Sequence, residues 1–276
     1  MKYETVIESI RKNEKDALPN LLEFYKKNSQ EVSCILLRDL FRDTKTNSIK
    51  TFKEIMSGDD NNLKRNLMGF FNDYFRFCIN GSLSSVDEIK SNFEEDSAHY
   101  HYIPFPPERF IYLLKETKKY NKKRFLDVGS GTGHKPILAY LLDYFETCHG
   151  IEYNPITFGK SMYNKNRFLG YDPKIKLFNG DALEFGNYAD YDYIYMYKPM
   201  HDDKQMHKLY DKILTDCKIG TLIVNVLDFY QVLRLEKSLG FGKFTFLPKG
   251  RKRPIYNNFV LLKQAEDTFK VEPFEK

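Results

Sequence analysis

The chain has 276 residues, of which 42% are hydrophobic and 29% charged, with a formal net charge of +5. That length accommodates one large domain, or a catalytic domain with a smaller companion, and the small charge surplus does not by itself argue for a nucleic-acid partner. Cys34, Cys78, Cys148 and Cys217 are scattered without a close pair or metal-type spacing, so free thiols and no metal site are expected. No run approaches the roughly 18 apolar residues of a membrane span and the first residues lack a signal-peptide core, which makes a cytoplasmic protein the expectation.

From the start to about Asn92 the apolar positions recur at helical spacing, and glycine is nearly absent. Val6, Ile7 and Ile10 begin this pattern; the run Leu63, Leu67, Phe70, Phe71, Tyr74 and Phe75 is its most apolar part. Residues 1–95 are therefore expected to form an all-helical N-terminal cap domain. Residues 96–107 change character. Three prolines (Pro104, Pro106 and Pro107) forbid a regular helix, and His99, Tyr100, His101, Tyr102 and Phe105 crowd around them. This segment reads either as a hinge whose aromatics pack between domains or as a lid over a binding site.

The remainder of residues 96–276 alternates strand and helix after a helix from Glu108 to Lys118, the pattern of a mostly parallel α/β sheet covered on both faces. Expected strands are Arg124–Val128, Cys148–Tyr153, Lys174–Asn179, Asp192–Tyr197 and Thr221–Leu227. Expected helices are Lys135–Phe145, one opening at Asn154-Pro155 and running to about Leu169, Asp203–Cys217 and about Asp228–Leu239. Gly240–Phe246 and Tyr256–Lys263, joined by the basic stretch 248–254, are expected as an antiparallel edge hairpin, with a fraying polar tail after Gln264.

The segment Leu126-Asp127-Val128-Gly129-Ser130-Gly131-Thr132-Gly133 carries the chemistry. A strand, a glycine turn and a helix let a ligand approach the backbone closely at a helix start. The spacing is Gly-x-Gly-x-Gly with an acid two residues before the first glycine, unlike the Gly-x-Gly-x-x-Gly of most dinucleotide sites. A fixed carboxylate there repels a pyrophosphate and suits a cationic, zwitterionic ligand, which points toward S-adenosylmethionine. Glu152 ends the second strand where a carboxylate accepts both hydroxyls of a ribose, and Asp181 follows the third, where it can accept from an adenine amino group. Taken singly, Asp127 also fits a capping role, Glu152 a solvated strand end and Asp181 a turn former.

Together with Gly150-Ile151-Glu152 and Gly180-Asp181, the glycine segment resembles the class I, Rossmann-like, seven-stranded S-adenosylmethionine-dependent methyltransferases over about Lys122–Leu262. The resemblance implies donor contacts at Asp127, Gly129, Ser130, Gly131 and Gly133, ribose contacts at Glu152, and adenine contacts at Asp181 and Ala182, with Tyr197 beside the methyl group. It implies an enzyme that passes a methyl group to an N or O acceptor, releasing S-adenosylhomocysteine. On the acceptor side Tyr197-Lys198-Pro199-Met200 lacks the amide or carboxylate of the base-methylating turn, which disfavours a nucleic-acid substrate. Tyr197, Lys198, His201 and His101 are the candidate catalytic residues: His201 as a base by its intrinsic pKa, Lys198 as a handle for an anionic substrate, His101 from the aromatic segment. Each has a plainer alternative, with Asp202 or Asp203 capping the next helix. A small-molecule acceptor is favoured over a protein lysine. The rivals are a non-catalytic S-adenosylmethionine-binding regulatory or assembly subunit and, disfavoured by Asp127, an NAD enzyme. The sequence leaves the oligomeric state open.

Overall fold

A computed structural model describes residues 107–169, 171–197, 199–200, 202–227, 257–265 and 268–272, with the isolated positions 20, 58 and 59. The expected helical cap, the aromatic segment 96–106 and the expected helix and strand within 228–246 lie outside these residues.

Seven strands form one sheet in the order β3-β2-β1-β4-β5-β6-β7. They are β1 (Arg124–Val128), β2 (Thr147–Glu152), β3 (Ile175–Asn179), β4 (Tyr193–Tyr197), β5 (Leu222–Leu227), β6 (Asn257–Ala265) and β7 (Thr268–Glu272). The first five are parallel, and β6 and β7 each run antiparallel to the strand before. Four helices are described: α1 (Pro107–Thr117), α2 (His134–Leu141), α3 (Pro155–Phe168) and α4 (Asp203–Asp216). The mostly parallel Rossmann-like layering expected from the alternating pattern is present. No helix among the described residues is long and apolar enough to cross a membrane.

Two expectations need correction. The helix after the glycine turn ends at Leu141, not Phe145, because Asp143 takes a left-handed conformation (φ 57°) that stops the helix. Residues 268–272, expected to fray, form the outermost strand beside 257–265.

The two faces of the sheet differ. On one, Leu126, Val128, Ile194, Met196 and Ile223 pack against Met206, Leu209, Tyr210 and Ile213 of α4. On the other, Phe125 and Tyr193 are register partners with rings 5.6 Å apart, and Phe110 of α1 closes over Phe125 and Tyr195 at 6.0 and 5.1 Å. Tyr193 shares a buried 2.9 Å hydrogen bond with Thr117 at the end of α1. Toward the carboxyl edge this aromatic face gives way to charge, because the next same-face positions of β1 and β4 are Asp127 and Tyr195.

Candidate functional site

The site grows from the turn between β1 and α2. Gly129, Gly131 and Gly133 all take positive φ (75°, 56° and 78°), which a side chain would resist. The turn is tied to β2. Gly129 and Ser130 both donate their N–H to the Ile151 carbonyl, at 3.0 and 2.9 Å. The Gly131 N–H donates to Glu152 Oε2 at 2.8 Å, and the other carboxylate oxygen of Glu152 accepts from the Asn154 N–H at 2.9 Å. Burial pushes the Glu152 pKa up, opposed by the Asn154 and Gly131 N–H groups and by the Lys135 charge. Asn154 in turn caps α3, its Oδ1 accepting from the Ile156 and Thr157 N–H groups, with Pro155 fixed in the first turn. From inside α3, Asn164 Nδ2 donates to the Thr132 carbonyl at 3.0 Å.

Close packing holds the turn in place. A Cβ on Gly150 would lie 2.6 Å from Ser130 Cβ, so β2 makes room for the loop by carrying no side chain there. Gly129 is backed by Pro199, whose Cβ would stand 3.3 Å from an added methyl, so the turn after β4 lies directly against the glycine loop.

Asp127 is the residue this architecture isolates. It lies between Gly150 of β2 and Tyr195 of β4 in register, at 0% exposure, and neither carboxylate oxygen has a hydrogen-bond partner among the described residues. Helix capping is therefore not its role; the N-cap of α2 is Gly133, with no side-chain cap. Burial raises its pKa to about 7, the Lys135 charge opposing and the Glu152 charge reinforcing. A buried carboxylate without a donor is costly, which makes Asp127 a candidate partner for a cation. The Ser130 Oγ is likewise buried and unpartnered.

Asp181 follows β3, its Oδ1 accepting from the Leu183 N–H at 2.8 Å, which is a turn-forming bond that leaves its second oxygen for other partners. Ala182 is buried, and its carbonyl accepts from the Tyr188 hydroxyl at 2.8 Å. Tyr197 is buried at the end of β4. Asp202 caps α4 through the Gln205 N–H at 2.8 Å. Lys198, His201 and His101, with His99, Tyr100 and Tyr102, lie outside the described residues. Asp127, the glycines and Glu152 thus converge on one carboxyl edge, with Asp181 following the neighbouring strand.

Sequence reasoning missed Lys135. It stands in the first turn of α2 yet is 2% exposed, and its ammonium lies 5.7 Å from the Tyr195 ring centroid and 5.6 Å from that of Tyr197. Burial lowers its pKa, opposed by the Asp127 and Glu152 charges. The signal that could have found it is the period-two tyrosine series on β4, which offers a cation two ring faces toward the carboxyl edge.

No protein-family model and no curated protein matches the chain. Similar solved structures include an RNA methyltransferase from Salinibacter ruber in complex with S-adenosyl-L-homocysteine, at 18% identity over 63% of this chain and 100% of that one, TM-score 0.45. Human N-acetylserotonin methyltransferase in complex with SAM is similar at 16% identity over 57% of this chain and 52% of its own, TM-score 0.44. The N-methyltransferase NodS from Bradyrhizobium japonicum matches at 20% identity over 46% of this chain and 71% of its own, TM-score 0.38. Five parallel strands in the order β3-β2-β1-β4-β5, with a glycine turn after β1, give the chain a mostly parallel, Rossmann-like α/β fold, and its likeness to these structures is one of fold.

Proposed function

We propose that this chain is an enzyme that binds S-adenosylmethionine at the carboxyl edge of β1 to β3 and transfers its methyl group to an N or O acceptor, a small molecule ahead of a protein side chain. The observation that carries this reading is the buried carboxylate of Asp127 beside the glycine turn, which has no donor among the described residues. The methionine ammonium of the donor supplies the missing positive donor. The glycine turn supports the same choice over a dinucleotide, because the N–H groups of Gly129, Ser130 and Gly131 are already committed to Ile151 and Glu152, and a pyrophosphate would need them.

Glu152 holds the turn and keeps unused lone pairs for ribose hydroxyls, while Asp181 and Ala182 take the adenine end. When bound, the donor supplies an electrophilic sulfonium methyl. The chain's own part is alignment of the acceptor and, where the acceptor carries a proton, its removal. The packing of Pro199 on Gly129 brings the turn that follows Tyr197 against the glycine loop and supports an acceptor position there. By residue type, His201 is assigned as base, Lys198 as anion handle and His101 as a further candidate.

Calorimetry with S-adenosylhomocysteine, S-adenosylmethionine and NAD tests the donor. Micromolar or tighter binding of the adenosyl-sulfur compounds without NAD binding is expected; the reverse preference would refute the assignment. Radiolabelled methyl transfer to fractionated extracts then separates small-molecule from protein acceptors. Tight donor binding with transfer to no fraction would favour a regulatory subunit.

A further inference from the structure

Asp127 and Lys135 are both buried and each feels the other's charge, yet among the described residues no donor, Lys135 included, lies within hydrogen-bond reach of either Asp127 oxygen. They are not a closed ion pair. Each is held apart by its own support. Asp127 is fixed by β1 between Gly150 and Tyr195, and the Lys135 ammonium is held over the Tyr195 and Tyr197 faces as it comes from the first turn of α2. Two charges of opposite sign, kept separate beside a turn that admits a ligand's backbone approach, match a ligand group carrying both signs on one carbon. An α-amino acid end is such a group.

A cation so close to Asp127 would work against a ligand bearing only positive charge, since it competes for the same carboxylate field. A zwitterion reverses the balance, its ammonium facing Asp127 and its carboxylate facing Lys135. Asp127 alone would accept any amine-bearing adenosyl sulfur compound; Lys135 adds discrimination by penalising the one that lacks a carboxylate.

We infer that Lys135 is the carboxylate-recognising residue of the donor site and makes the chain selective for the intact amino-acid end of the donor over its decarboxylated, propylamine form. This rests on the S-adenosylmethionine reading above and names a specificity determinant within it.

The test is equilibrium binding, free of turnover, of S-adenosylhomocysteine and its decarboxylated analogue to the full chain and to Lys135→Met and Lys135→Arg. The parent is expected to prefer S-adenosylhomocysteine by about tenfold or more, the factor that one charge-assisted hydrogen bond contributes. Lys135→Met is expected to lose most of that preference, mainly through weaker S-adenosylhomocysteine binding, and Lys135→Arg to keep it. Equal affinities in the parent overturn the inference whether or not Lys135→Met folds. A preference that survives in a folded Lys135→Met overturns it too and leaves Lys135 as a counter-charge for Asp127. If the parent binds neither compound, the methyl-donor reading itself fails, and this inference with it. Binding with a lost preference in Lys135→Met supports both.

Discussion

Replacing Asp127 with asparagine removes an ionisable group from a place where no described residue offers its charge a hydrogen-bond donor. Burial holds that carboxyl near a pKa of about 7, against an ordinary value of 3.8. At acid pH, below the ordinary value, the group is protonated in the folded and unfolded chain alike and has no effect. Between the two values the unfolded chain ionises while the folded one keeps its proton, so stability falls as pH rises; above the folded value the loss is complete. A gap of about three pH units at about 1.4 kcal/mol each puts the loss on the order of 4 kcal/mol. The asparagine amide is as unpartnered as the carboxyl, so that part of the cost largely cancels. Without ligand, Asp127→Asn is therefore expected to match its parent near pH 3 and to exceed it by a few kcal/mol near pH 8.5, while binding S-adenosylhomocysteine at least about tenfold more weakly. Urea unfolding followed by circular dichroism at the two pH values, without ligand, measures the first effect, and calorimetry the second. A variant that is no more stable than its parent near pH 8.5 would show that the carboxylate has a partner in the folded chain, and the reasoning about the site would fail with it.

Gly150→Ala drives a methyl to within 2.6 Å of Ser130 Cβ, and overpacking of this kind costs about 1–3 kcal/mol. Its thermal midpoint is expected to fall, and Ser130→Gly in the same chain to restore most of it; additive losses would mean that the two residues do not meet. Glu152→Ala removes the acceptor of the Gly131 and Asn154 N–H groups, so S-adenosylhomocysteine affinity is expected to drop at least about tenfold, and unchanged affinity would contradict the ribose assignment. Gly159→Ala, on the exposed side of α3 with nothing within 4 Å of the added methyl, is expected to stabilise by about 0.5–1 kcal/mol and leave ligand binding untouched. A loss of stability there would mean that α3 is not helical at this position.

What was readable in the sequence is what short-range chemistry determines. The glycine turn, the Asn154-Pro155 helix start and the five parallel strands follow from glycine freedom, capping and apolar runs, and each lies within a residue or two of its expected place. The double role of Asn154 and Glu152, one capping α3 and the other bridging the loop, was only half legible, since the second partner of Glu152 comes from a turn 21 residues away. Lys135 is the least legible residue of the site, because a lysine in a first helical turn reads as solvated and only the tyrosine series on β4 hints at the ring faces it meets. Thr268-Phe269-Lys270-Val271-Glu272 alternates at period two, a strand signal that its polarity disguises as a tail. The end of α2 is hard to read because Asp143 adopts a left-handed backbone without announcing it as glycine does.

The loop-to-strand ties described for Gly129, Ser130 and Gly131 bear on the thermodynamics of recognition. A glycine-rich loop ordinarily loses a great deal of conformational freedom when it closes on a ligand, and the free energy of that ordering is subtracted from the affinity. Here three successive N–H groups are already bonded to β2, and Asn164 holds the loop from the side of α3. The ordering has taken place during folding. Ligand association should accordingly proceed with little change in loop protection from hydrogen exchange, the gain in protection falling instead on whatever segment covers the bound molecule.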